Sequence, residues 1–205
     1  MARCIIAFAL GLALVAPALT QTRARNTSDW PCRAIKVPEI TLAAVWSGPS
    51  LDGIPASAWR DDAVIGALVA RLSARRTPLA EAEAAVKELA AAAGEGRRDK
   101  LLALYAGLFA SLAGERAQVL AGLERFGHRQ KELADNIRAQ TASMRELQDK
   151  PDADAAKIEE VTSRLTWDMR IFEDKRKSVA FVCETPVLIE QRLFALGRMV
   201  QAALE

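Results

Sequence analysis

The sequence predicts an all-α protein: a helical bundle body, a long antiparallel coiled-coil hairpin projecting from it as an arm, and an extended N-terminal strap tied by one disulfide. Three observations predict this. Large apolar residues recur at spacings of three and four through Arg97–Lys150 and again through Asp152–Leu204, with only Pro151 between the two runs. The first run carries a second stripe that is small-residued for its first half and polar for its second, so one of its two buried faces should end midway. Outside a signal-like N-terminus the chain has two cysteines, Cys32 and Cys183.

Arg3, the uncharged run Cys4–Val15 and the small residues of Ala16-Pro17-Ala18 have the layout of a secretory signal peptide over residues 1–18. The apolar stretch is shorter than the roughly 18 to 20 residues of a spanning helix, so cleavage near Leu19 is expected rather than anchoring. The protein is therefore expected to be periplasmic or secreted, without membrane contact once the signal is removed. Cleavage also removes Cys4, and an even pair of cysteines outside the reducing cytosol favours a bridge. Cys32 and Cys183 are 151 residues apart in sequence. A loop of that length corresponds to about 5 kcal/mol in the chain-entropy model. Neither cysteine lies in a Cys-x-x-Cys motif or beside a histidine, so the bridge is read as structural.

Residues 19–60 form the strap. Its stretch Asn26–Ala58 lacks helical periodicity and holds Pro31, Pro38, Pro49 and Pro55, with Trp30 and Trp46 inside it and Trp59 at its end. Ile35-Lys36-Val37 and Ile40-Thr41-Leu42 have strand-like composition, but the neighbouring prolines argue against a sheet. From Asp61 to Arg75, the residues Ile65, Leu68, Val69 and Leu72 mark an amphipathic helix. Thr77-Pro78 is expected to open the next helix, with Thr77 as its cap, and Leu79, Ala82, Val86, Leu89 and Ala93 as its buried stripe. Gly94-Glu95-Gly96 should end it.

The third helix carries Leu101, Tyr105, Leu108, Leu112, Val119, Leu123, Phe126, Leu133, Ile137, Met144 and Leu147. The fourth answers with Ile158, Val161, Leu165, Phe172, Val179, Val182, Ile189, Leu193, Leu196 and Val200. Thr185-Pro186 predicts a kink or restart, because proline lacks a backbone donor and crowds the preceding turn. The small stripe Ala103, Gly107, Ala110, Gly114, Ala117 and Ala121 gives way to Glu124, His128, Lys131, Asp135 and Arg138. Burial on two sides is therefore expected to stop near Leu123. With the hairpin centred at Lys150–Pro151, Leu123 falls opposite Ser178. Residues 61–123 plus 178–205 then form the body, and 124–177 the arm, about 40 Å long at 1.5 Å per residue.

A formal net charge of +2 with no long run of like charge excludes a general nucleic-acid binder. His128 is the sole histidine, and nothing near it in sequence completes a metal site or catalytic pair. No Glu-x-x-His spacing suggests a di-iron bundle. The basic cluster Arg170, Lys175, Arg176 and Lys177 is interrupted by Glu173 and Asp174, the pattern of a solvated face. No catalytic, metal-ligating or cofactor-binding set is identified. Trp46 and Trp59 are candidates for a binding groove, since an exposed tryptophan implies use.

At the arm's tip Arg145, Glu146, Asp149, Lys150, Asp152 and Asp154 are expected to radiate into solvent without structural duty, as candidates for partner contact. The expected function is that of an exported scaffold, adaptor or chaperone-like protein that binds a protein partner through its arm, with self-association also open. The alternatives are a small-ligand-binding protein or enzyme with a site between strap and bundle, and a membrane-anchored coiled coil if the signal is retained. In outline the predicted hairpin resembles the arms of periplasmic prefoldin-like chaperones and of efflux-pump adaptor proteins. It shares no motif with either, so the resemblance transfers no residues.

Overall fold

A computed structural model describes residues 29–205; the predicted signal peptide and cleavage site lie outside the described residues. These contain six α-helices and no strand: α1 (Leu42–Val45), α2 (Ala58–Asp61), α3 (Ala63–Ser73), α4 (Leu79–Ala92), α5 (Arg97–Gln148) and α6 (Ala155–Leu204). Asp62 starts α3 by accepting from the amides of Val64 and Ile65. Ile65, Val69 and Leu72 are then buried. A 3₁₀ turn, Gly94–Gly96, separates α4 from α5, with Gly94 at φ +55°, a conformation that suits glycine. At the far end the amide of Asp149 closes α5, and the Asp154 carboxylate accepts from the amides of Ala156 and Lys157 to open α6.

Side chains from α3, α4, α5, α6 and the strap share one core around Leu72, Val86, Leu104, Tyr105, Leu108, Leu193 and Leu196. Two buried guanidinium groups tie its edges. Arg192 donates from Nε to the carbonyl of Leu72 (2.8 Å) and from a terminal nitrogen to that of Thr77 (2.9 Å). Arg116 donates to Glu190 Oε1 (2.6 Å) and to the carbonyls of Val37 and Pro38. Burial pulls the pKa of Arg192 below its ordinary value, an effect that Glu115 opposes.

Several local expectations need correction. Thr77 does not cap α4: its hydroxyl donates to the carbonyl of Arg71, and Pro78 occupies the cap position without a side-chain bond. Leu79 is exposed, and Ala85 takes its place in the stripe. Helix α6 runs through Pro186 without a restart. Pro186 is buried there, and packing of the long helix against α5 outweighs the roughly 3 kcal/mol cost of an interior proline. Val182 is exposed where the seam was expected, because the bridged Cys183 and the buried Pro186 are the residues turned inward.

The small-residue stripe is covered for less of its length than its composition suggested. Ala103 and Gly107 are buried, but Ala110, Gly114 and Ala117 are exposed, and a Cβ at Gly114 would meet no atom within 4 Å. Helix α3 has only eleven residues and cannot follow α5 further. Burial continues instead along Arg116, Leu120, Leu123 and Gly127. There the cover is the strap, which runs antiparallel to α5. Val45 meets Tyr105, the Val37–Pro38 carbonyls meet Arg116, Lys36 pairs with Glu124, and Asp29 lies over Gly127 and beside His128.

The hairpin register also shifts. The pairs Arg116–Glu190, Gln140–Asp168 and Met144–Thr162 centre the hairpin near Ala153, because Asp154 rather than Asp152 caps α6. Leu123 therefore lies level with Cys183, not Ser178. Among the described residues, the strap's last ionic contact with α5 is Asp29 to Lys131 at 4.0 Å. Beyond it, Glu132 to Gln148 on α5 forms about 25 Å of hairpin that the described part of the strap, residues 29–60, does not touch.

Candidate partner-binding surfaces

Tryptophan packing discriminates between the two candidate regions. Trp46 is 8% exposed and stacks on Tyr105, ring centroids 4.1 Å apart. Its indole N–H donates to the carbonyl of Pro49 at 2.8 Å. Gly48 lies so close beneath the ring that a Cβ there would stand 2.8 Å from Trp46 Cε2. Tyr105 in turn donates from its hydroxyl to the carbonyl of Val45 at 3.0 Å, and burial pushes its pKa above the usual tyrosine range. Trp59 is half-buried against Gly107, where an added Cβ would come within 2.7 Å of Trp59 Cγ, and the guanidinium of Arg60 sits 4.1 Å from its ring centroid. Both indoles thus pack a strap or short helix onto α5, at Tyr105 and Gly107 respectively.

The bridge between Cys32 and Cys183 is present, with Cα atoms 5.7 Å apart, and it joins the strap to α6. Beside it lies an open groove of about 890 Å³, bounded by Pro31–Ala34 of the strap and by Val179, Cys183, Glu184, Val187 and Leu188 of α6. His128, expected on a solvated stripe, stands between two carboxylates. Its Nδ1 is 3.0 Å from Asp29 and its Nε2 is 3.3 Å from Glu132. Among the described residues no group of three or more His, Cys, Asp or Glu is placed to hold a metal ion, and no helix is long and apolar enough to cross a membrane.

The six candidate tip residues, Arg145, Glu146, Asp149, Lys150, Asp152 and Asp154, are all exposed. Asp154 nevertheless has a structural duty as the cap of α6. A surface absent from the sequence reading lies on α6. Trp167 is 62% exposed and Met169 51% exposed on the part of the hairpin beyond the described residues of the strap. Trp167 could have been found in the sequence: it is the fourth tryptophan, and it falls between the seam positions Leu165 and Phe172 without belonging to the seam. No protein-family model, curated protein or solved structure matches this chain.

Proposed function

We propose that this is an exported helical scaffold, adaptor or chaperone-like protein that binds a protein partner through its projecting hairpin. The exposure of Trp167 carries the reading. Trp46 and Trp59 are packed in the body, whereas Trp167 lies in water on an extension that contributes little to the core. Tryptophan is among the residues that dominate binding energy when a partner desolvates it. Trp167 thus offers the hairpin an exposed apolar anchor, with further charged residues exposed at the tip.

Photo-crosslinking in the native host tests this. A photoreactive residue at 167 or 152 should give discrete adducts with another protein, and one at the exposed body position 76 should give none. Trp167→Ala should abolish the adduct formed from 152 while leaving stability within about 0.5 kcal/mol, as for an ordinary surface change. Adducts from the body position alone would refute the reading.

The groove beside the Cys32–Cys183 bridge favours the second reading, a small-ligand site between strap and bundle, because its volume lies within the range of such sites. Ala180→Trp, placed in that groove, should abolish function under this second reading and spare it under the first.

A further inference from the structure

The body half of α6 presents a face with internal symmetry. Every seventh residue from Lys177 forms an exposed column of Lys177, Glu184, Gln191, Arg198 and Glu205. Its charges run plus, minus, neutral, plus, minus, and so change sign on reversal about Gln191. Half-exposed apolar residues flank the column: Val187 (48%) and Leu188 (47%) before Gln191, and Phe194 (50%) after it. None of the four charged side chains has an ion-pair partner within 4.0 Å among the described residues. Of the neighbouring charges, Glu83 pairs with Lys87 and Arg176 with Glu173, whereas Arg33 in the groove with Glu184, Glu39 near Gln191 and Arg98 near Glu205 have no ion pair within 4.0 Å among the described residues.

We propose that this face binds a second copy of the chain, with α6 antiparallel to its counterpart across a two-fold axis at Gln191. Antiparallel pairing places Glu184 against the second copy's Arg198 and, by symmetry, repeats the contact; Lys177 and Glu205 pair in the same way. Phe194 then meets the apolar step made by Val187, and Leu188 meets Ala195. A parallel arrangement would set Glu184 against Glu184 and Arg198 against Arg198, so the charges specify direction as well as partner. The face from Lys177 to Glu205 is about 42 Å long at 1.5 Å per residue. A width of about 20 Å, α6 with the near edges of the strap and α4, supplies the ~800 Å² per partner of a stable interface.

Sedimentation velocity and light scattering on the full chain, up to hundreds of micromolar, test the proposal. The native protein should have the mass of a dimer. Glu184→Arg and Arg198→Glu should each raise the dissociation constant at least about tenfold through like-charge contacts. Mixing the two single variants should restore dimers, because each then faces its complement, and the double exchange E184R/R198E should restore them in one chain. Thermal melting of each variant separates lost association from lost folding. A native chain that stays monomeric, a dimer indifferent to both reversals, or reversals that fail to rescue one another would overturn the proposal. Small-angle scattering adds a readout of direction: arms pointing opposite ways give a span of about 115 Å, against about 78 Å for one chain.

Discussion

A methyl group added at Gly127 tests how the strap is seated on α5. An ideal Cβ there would lie 2.7 Å from the carbonyl carbon of Asp29 and 3.3 Å from Pro31 Cδ. The nearer obstacle is backbone, so the strap must move. Alanine gains about 1 kcal/mol over glycine in a helix interior. Overpacking typically costs 1–3 kcal/mol. Lifting Asp29–Pro31 can relieve the clash, and what holds that end includes the exposed pairs to His128 and Lys131, each worth about 0.2–1 kcal/mol. Gly127→Ala should therefore leave stability unchanged or lower it by up to about 2 kcal/mol.

Gly114→Ala supplies the control, since its Cβ meets nothing within 4 Å on the same helix, and it should gain about 1 kcal/mol. The two variants should differ by about 1–3 kcal/mol, or roughly 2–12 °C in Tm for a chain of this size. Urea and thermal denaturation with the Cys32–Cys183 bridge intact measure the difference. Equal stabilisation by both substitutions would show that the strap does not lie over Gly127 in solution.

Two further outcomes follow from the core. Trp46→Ala should cost about 3–5 kcal/mol, read as a fall in the urea midpoint at constant slope, because it removes a buried indole stacked on Tyr105; a change below about 1 kcal/mol would contradict its role as an anchor. Tyr105 is the sole tyrosine and burial raises its pKa, so below pH ~10 both folded and unfolded chains hold the proton and nothing is lost. Above pH ~10 the unfolded chain ionises first, and stability should fall by up to about 1.4 kcal/mol per pH unit, a decline that Tyr105→Phe should flatten. Phenolate absorbance appearing near pH 10 while the protein is still folded would refute this.

The helical parts were legible because their determinants are local and periodic. The seam Leu101, Tyr105, Leu108 and Leu112 is buried as the three-four spacing requires, and the bridge pairs the two cysteines that export would leave. What misled was composition without knowledge of the neighbour. Ala110, Gly114 and Ala117 permit close approach, but no described element approaches, because α3 stops at Ser73. The cover that does continue is a strap held by backbone carbonyls, such as those of Val37 and Pro38 on Arg116. Carbonyls are common to all residues and leave no mark in a sequence. Arg116 and Arg192 were missed for the same reason: as isolated arginines they resemble surface residues until the carbonyls they bind are located.

Along the two long helices, the large exposed apolar side chains are unevenly divided. Trp167, Met169, Phe181, Val182, Val187, Leu188 and Phe194 all belong to α6, and none belongs to α5. The strap accounts for part of this difference, because it covers the side of α5 that α6 leaves open and meets Glu124 and His128 through polar pairs. Apart from Phe181 and Val182, which adjoin the bridge at Cys183, the exposed residues of α6 fall into two sets. Trp167 and Met169 lie on the arm, and Val187, Leu188 and Phe194 lie on the body. An antiparallel pair centred on Gln191 would cover the second set and direct the two arms away from each other with the first set still in water. Self-association and partner capture would then use separate stretches of one helix. Trp167→Ala should accordingly weaken partner crosslinking without changing the dimer mass, while Glu184→Arg should dissociate the dimer and leave crosslinking from each arm intact. Loss of both properties in either variant would show that the two surfaces are one.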